Sequence, residues 1–142
     1  MSWLQQLRDR VQSWSAPQPL GARGERAAVR FLKRHGYVIV GRGVRDRIGE
    51  IDIVAVDGKT IVFVEVKTRV SDDRGHPAEA VDQDKQRQLT RVALSYLRRH
   101  DLLEHSARFD VVAVTWPADQ KRPTIEHFKN AFEAVGSGQM FS

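Results

Sequence analysis

The spacing of apolar side chains predicts two amphipathic helices. The first spans residues 21–35, where apolar or aromatic residues recur at positions i, i+3, i+4 and i+7. These residues are Ala28, Phe31, Leu32 and His35. Gly36 follows them as a typical helix stop. The second helix is predicted over residues 80–100. Its apolar stripe consists of Leu89, Val92, Ala93, Tyr96 and Leu97.

Runs of apolar residues predict four strands. They cover residues 37–40, 50–57, 60–67 and 109–116. Asp57-Gly58 separates the second run from the third and is a strong signal for a two-residue hairpin turn. Residues 125–135 fit a strand, a helix or one followed by the other. The order α-β-β-β-α-β plus a tail predicts an α/β fold with a mixed sheet.

The hairpin places acidic residues on one face of the sheet. If Asp57 and Gly58 are the two loop residues, Asp52 and Glu65 are diagonal neighbours, with Cα atoms roughly 7–8 Å apart. Glu50 then lies opposite Glu65, and Lys67 points the same way. The other face is entirely apolar and is expected to be the core. It consists of Ile51, Ile53, Ala55, Val62, Val64 and Val66.

Two interpretations of the acidic face stay open. Like charges that face each other across strands are destabilising unless something neutralises them. A divalent cation would do so, and oxygen ligands without cysteine or a histidine cluster favour Mg²⁺ or Mn²⁺ over zinc. Alternatively, Lys67 neutralises part of the charge, and the group is a structural salt-bridge cluster.

Two further acids are candidates for a role. Glu25 lies on the same stripe as Ala28 and Leu32, so it either faces the core side or is a first-turn glutamate favoured by the helix dipole. Asp110 begins an apolar strand, and we expect it to pair with an arginine in a structural role.

The positive charge is unevenly distributed. The chain carries a formal charge of +5, and residues 1–47 hold ten Lys and Arg against three acids. A second block, residues 85–99, holds five basic residues and no acid. Such blocks either form a face for a phosphate backbone or are solvated helix faces. On the second helix, Lys85, Gln86 and Arg91 are candidate phosphate contacts.

Length and composition limit the remaining possibilities. With 142 residues, one domain is expected at residues 20–136, between an amphipathic segment with its linker (1–19) and a flexible tail (137–142). Residues 70–78 are expected to form a mobile loop. The absence of cysteine excludes disulfide scaffolds and thiolate chemistry. No apolar run is long enough to span a membrane and no secretory leader is visible, so we expect a cytoplasmic protein without a membrane partner.

Five short motifs, taken in order, resemble the core of the PD-(D/E)XK nucleases. They are Gly21-Ala-Arg-Gly-Glu25, Gly49-Glu-Ile-Asp52, Phe63-Val-Glu-Val-Lys67, Lys85-Gln86 and Arg108-Phe-Asp-Val-Val112. Within that superfamily the chain resembles the UPF0102 family, also called YraN, whose members look like Holliday-junction resolvases. The likeness runs from about Gly21 to Phe132. Ile51 stands where the superfamily often has a proline before the aspartate.

The resemblance implies a restriction-endonuclease-like αβββαβ core with a central mixed sheet flanked by helices. It implies Asp52 and Glu65 as ligands of Mg²⁺ or Mn²⁺, with Glu25 completing the acidic site and Glu50 contributing. Lys67 would lie beside the attacking water or the scissile phosphate. Alongside the candidates on the second helix, Arg23 and Arg47 are further candidates for contact with nucleic acid. A homodimer is expected by analogy with junction-cutting enzymes of related fold.

Three functions remain as hypotheses. The first is a metal-dependent nuclease that hydrolyses phosphodiester bonds in DNA, including branched or structured DNA. The second is a non-catalytic nucleic-acid-binding module that retains the nuclease fold. The third is an interaction adaptor that uses the segment from Trp3 to Trp14.

Overall fold

The structure is a computed structural model that describes residues 20–70, 81–117 and 121–135. The segment 1–19, nearly all of the predicted loop 70–78 and the tail 137–142 lie outside the described residues. The helices are α1 (Leu20–Arg34) and α2 (Gln83–Arg99), and the strands are β1 (Val38–Arg45), β2 (Glu50–Asp57), β3 (Thr60–Arg69), β4 (Ala107–Thr115) and β5 (Thr124–Phe132). Neither described helix combines the length and hydrophobicity that crossing a bilayer requires.

The strands form one mixed sheet in the order β1-β2-β3-β4-β5. All neighbours are antiparallel except β3 and β4, which are parallel and are connected through α2. The predicted α/β class with an αβββαβ core is therefore confirmed. Most of the ambiguous segment 125–135 belongs to β5, an antiparallel edge strand beside β4, and residues 133–135 follow the strand.

The sheet carries a hydrophobic core on both faces. On one face, α1 packs its buried residues, such as Ala28 and Leu32, against Ile53, Val62 and Val114. On the other face, α2 packs against the remaining buried strand residues. This second core includes Val54, Phe63, Leu89, Val92 and Leu97. The apolar face of the hairpin is core under α1, as expected, and a second core lies on the other face because each helix covers one side of the sheet.

The register of the β2–β3 hairpin also differs from the prediction. Asp57 pairs with Thr60, and Val54 pairs with Phe63, so the loop residues are Gly58 and Lys59. Gly58 has a φ of 63°, which suits the first central position of a tight hairpin turn. Continued by one residue, this register brings Asp52 directly opposite Glu65 rather than diagonal to it.

Candidate functional site

Asp52 lies where the β2–β3 ladder ends. The last paired residues are Ile53 and Val64, and one step further the Asp52 Oδ2 atom accepts a hydrogen bond of 2.8 Å from the Val66 amide. Ile51 packs with the core under α2, whereas Ile53 packs with the core under α1. The alternation of β2 is therefore interrupted at Asp52, and the side chain takes the place of a ladder carbonyl. Ile51 and Ile53 were expected to share one face of the sheet, but they lie on opposite faces.

Asp52 and Glu65 form a close pair of carboxyl groups. Glu65 is only 6% exposed, and its carboxyl group lies near enough to Asp52 to affect the pKa of that residue. Burial raises the pKa of Asp52 to about 8, with a further contribution from the charge of Glu65, although the Val66 amide opposes the shift. In this state Asp52 keeps its proton at neutral pH. The pair therefore resists carrying two negative charges at once.

Two lysines approach Glu65 from different elements. The Nζ atom of Lys67, on β3, is 3.7 Å from Glu65 Oε2, and the Nζ atom of Lys85, on α2, is 3.4 Å from the same oxygen. The position of Lys67 beside the acids matches its expected neighbourhood. The approach of Lys85 was missed, because it depends on how α2 packs across the sheet and no local pattern reveals that.

Glu25 and Glu50 are each paired with an arginine of β1. Arg42 Nε is 3.4 Å from Glu25 Oε1, and Arg45 Nη2 is 3.0 Å from Glu50 Oε2. Burial raises the pKa of Glu25, and the charge of Glu50 adds to this, while Arg42 lowers it. Glu25 in turn contributes to the raised pKa of Asp52, so its charge reaches the pair.

Over the described ranges, no group of three or more acidic or histidine side chains is gathered closely enough to hold a metal ion. The pair of Asp52 and Glu65 is thus the centre of the candidate site, and the two other acids are satellites.

A clamp from α2 fixes the loop before Glu50. The side-chain amide of Gln88 donates a hydrogen bond to the Ile48 carbonyl. Gly49 leaves room for it, since a Cβ there would lie 2.8 Å from Gln88 Cδ. Asp46 Oδ1 accepts from the amides of Ile48 (2.7 Å) and Gly49 (3.2 Å). The sequence pattern around Gly49 does not reveal this contact, because Gln88 lies on a distant helix.

The remaining basic candidates differ in their surroundings. Arg47 and Arg91 are exposed. Arg23 lies over the Trp116 ring, with its guanidinium carbon 4.9 Å from the ring centroid. Gln86 donates its side-chain amide to the Val81 carbonyl at 2.8 Å, an internal contact at the start of α2.

A second charged group lies around Asp110, away from the pair. Asp110 is completely buried and accepts hydrogen bonds from Arg108 Nε (3.0 Å), His127 Nε2 (2.7 Å) and the Asn130 amide (2.9 Å). Arg108 also donates to Tyr37 Oη at 2.8 Å. Burial alone would raise the pKa of Asp110, but these hydrogen bonds outweigh it, and the pKa is lowered. The expected arginine partner is confirmed.

Comparison with known protein families finds a match that covers the residues of the candidate site. Residues 24–114, which include the pair, both lysines and Asp110, match the sequence profile of the uncharacterised protein family UPF0102. The chain belongs to the UPF0102 family.

Individual relatives extend the match over most of the chain. A UPF0102 protein of Rhodopirellula baltica is 45% identical over 148 positions, covering 96% of this chain and 89% of the relative. One of Geobacter metallireducens is 54% identical over 114 positions, covering 80% and 92%. One of Chlorobaculum tepidum is 47% identical over 128 positions, covering 87% and 99%. The resemblance to the UPF0102 family is therefore confirmed.

Proposed function

We propose that this UPF0102 protein is a metal-dependent nuclease that hydrolyses phosphodiester bonds in DNA, including branched or structured DNA. The observation that carries the proposal is the buried pair of Asp52 and Glu65 with two lysines at its edge. A buried carboxyl group such as Asp52, whose pKa is raised by burial and by a second carboxyl group, is energetically unfavourable as a structural element. A cation that the two carboxyl groups share would remove this cost.

The residues fit Mg²⁺ or Mn²⁺. The pair offers only carboxylate oxygens, which are the ligands that hard divalent cations prefer. Asp52 and Glu65 would hold the ion, and Glu25 and Glu50 would contribute through water if they leave their arginines. The bound ion would polarise the phosphate and lower the pKa of a water molecule.

The side chains of the chain itself would complete the reaction. Lys67 is a compact charge beside Glu65, suited to orienting the attacking water or to stabilising the additional negative charge on the phosphate. Arg23, Arg47 and Arg91 would contact backbone phosphates, which fixes the position of DNA without reading its sequence.

The test is cleavage of supercoiled, linear and four-way-junction DNA by pure protein with Mg²⁺ or Mn²⁺. Wild type should cleave and Asp52→Asn should not. Asp84→Asn is the matched control, since Asp84 is an exposed acid on α2 that pairs with Arg87. Equal cleavage by wild type and Asp52→Asn would mean a contaminating nuclease and would refute the proposal.

A second candidate function is a non-catalytic nucleic-acid-binding module. The pairing of Glu25 and Glu50 with arginines favours it, because two of the four expected metal ligands are already neutralised. This function predicts salt-dependent DNA binding that is unchanged in Asp52→Ala and Glu65→Ala. Loss of wild-type binding in metal-free buffer at low salt would exclude it.

A further inference from the structure

Lys85 reaches the carboxyl pair from outside the sheet. Its Nζ atom is 3.4 Å from Glu65 Oε2, closer than that of Lys67, which lies at 3.7 Å from the same oxygen. Glu65 is buried, while the Lys85 side chain is 39% exposed. One end of this ion pair is therefore fixed in the protein, and the other end is carried by a flexible side chain at the surface.

The backbone around Lys85 is anchored independently of the side chain. Asp82 is the N-cap of α2, and its Oδ1 atom accepts a hydrogen bond of 2.8 Å from the Lys85 amide. The side chain can thus leave Glu65 without disturbing the helix start. Lys67 is more constrained, because it belongs to β3 and lies only two residues from Glu65.

Lys85 and a divalent cation would compete for the same oxygen. An ammonium group partly neutralises Glu65 while no ion is present, but it occupies a lone pair that a metal ligand must offer. When two positive groups meet one carboxylate, binding of the stronger one weakens the hold on the other. A lysine freed in this way would lie beside the ion with its charge uncompensated.

We propose that Lys85 is a positioning residue that holds Glu65 in the ion-free protein, is displaced when the divalent cation binds, and then contacts a phosphate of the nucleic acid. This inference rests on the proposed nuclease function. It couples the two ligands, because cation binding releases the lysine that the phosphate needs.

The first arm of the test is calorimetric titration of Mn²⁺ into folded wild type, Lys85→Met, Lys85→Arg and Arg87→Met. Lys85→Met should bind Mn²⁺ roughly fivefold more tightly than wild type, as expected for loss of a competing ion pair. Lys85→Arg should stay close to wild type. Arg87→Met removes the same charge from α2 at an exposed pair with Asp84, so it measures the long-range effect of charge alone.

The second arm is binding of a labelled duplex oligonucleotide with Ca²⁺ or with chelator. Lys85→Met should weaken binding in Ca²⁺ and lower the salt slope by about one phosphate contact, but it should leave binding in chelator nearly unchanged. A purely structural lysine would not give this dependence on the ion.

Three results would overturn the inference. Equal Mn²⁺ affinity of Lys85→Met and Arg87→Met would show that Lys85 does not compete for the ion. An equal loss of DNA affinity of Lys85→Met with Ca²⁺ and with chelator would show that the cation does not release Lys85. Both results leave the nuclease proposal intact, whereas failure of wild type to bind Mn²⁺ would remove the inference and the proposed function together.

Discussion

Asp52 and Asp110 lie in neighbouring parts of the same sheet, yet their carboxyl groups have opposite surroundings. Asp110, on β4, is completely buried and receives hydrogen bonds from Arg108, His127 and the Asn130 amide. Asp52, on β2, receives one backbone hydrogen bond and faces a second carboxyl group. Burial favours the protonated form of both groups. The pKa of Asp52 is raised, whereas the hydrogen-bond donors around Asp110 outweigh burial and lower its pKa.

The comparison separates an acid with a structural role from one that we propose to be functional. A buried carboxylate with its lone pairs satisfied stabilises the fold and leaves nothing for a ligand. A buried carboxyl pair costs stability even with two lysines beside Glu65, and such a pair is typical of sites that bind a cation or exchange a proton. The Asp110 cluster joins β4 to β5. We propose instead that Asp52 and Glu65 offer oxygen atoms to a cation.

The largest effect is expected from Asp110→Asn. The substitution removes the charge that Arg108 and His127 share inside the protein and should lower the free energy of unfolding by about 3–5 kcal/mol. Urea denaturation at neutral pH measures it, with the exposed Asp84→Asn as the control. A loss below about 1 kcal/mol would contradict the structural role assigned to Asp110.

The pH dependence of stability should distinguish the two aspartates. The folded state holds the proton of Asp52 up to about pH 8, whereas an unfolded aspartate releases it near its ordinary value of 3.8. The stability from this proton is fully present below that ordinary value and is lost as the pH rises towards 8. The slope is about 1.4 kcal/mol per pH unit, so roughly 3 kcal/mol is lost between about pH 5 and 7.

Asp110 should act in the opposite direction. Its folded pKa is lowered, so its contribution is present above the ordinary value of 3.8 and disappears as the pH falls through the folded pKa. For Asp52, the measurement is the difference in the free energy of unfolding between wild type and Asp52→Asn in metal-free buffer, from about pH 5 to about pH 7. A difference that does not change with pH would show that Asp52 has an ordinary pKa.

Cation binding should stabilise the protein through one aspartate and not through the other. At a Mn²⁺ concentration one hundred times the dissociation constant, wild type should gain about 2.7 kcal/mol. Asp52→Asn should gain almost nothing, and Asp110→Asn should gain as much as wild type at a temperature where it is folded. Thermal unfolding with and without Mn²⁺ measures both, and an equal gain in all three proteins would place the ion elsewhere.

Sequence patterns predicted the elements well because the local signals agree. The apolar stripe around Leu32 and the stripe around Leu89 each mark a helix, and the Asp57-Gly58 signal marks a hairpin. The register was wrong because either Asp57-Gly58 or Gly58-Lys59 makes an acceptable two-residue loop. Moving the loop by one residue shifts each β2 residue's partner on β3 by two positions. Every side chain therefore keeps its face, and Asp52 still lies beside Glu65.

The rest of the site depends on packing between distant elements. Lys85 reaches Glu65, and Arg42 reaches Glu25, only because each helix lies on its own face of the sheet. Periodicity indicates which face of a helix is apolar, but it does not say where along a strand that helix will lie. The proximity of Asp52, Glu65 and Lys67 was therefore predictable from the hairpin, while the contacts of Lys85 and Arg42 were not.

The smallest effect is expected from Gly49→Ala, which tests whether the loop beside the pair is held by α2. A Cβ there would lie 2.8 Å from Gln88 Cδ, so the flexible glutamine must move and release the Ile48 carbonyl. Loss of this hydrogen bond should cost about 0.5–1.5 kcal/mol and weaken Mn²⁺ binding through Glu50 and Asp52. Gly21→Ala is the control, because a Cβ there meets nothing within 4 Å. If both substitutions have equal effects on Mn²⁺ affinity, the hydrogen bond from Gln88 does not position the pair. The position of Asp52 is then attributed to the hydrogen bond that it accepts from the Val66 amide.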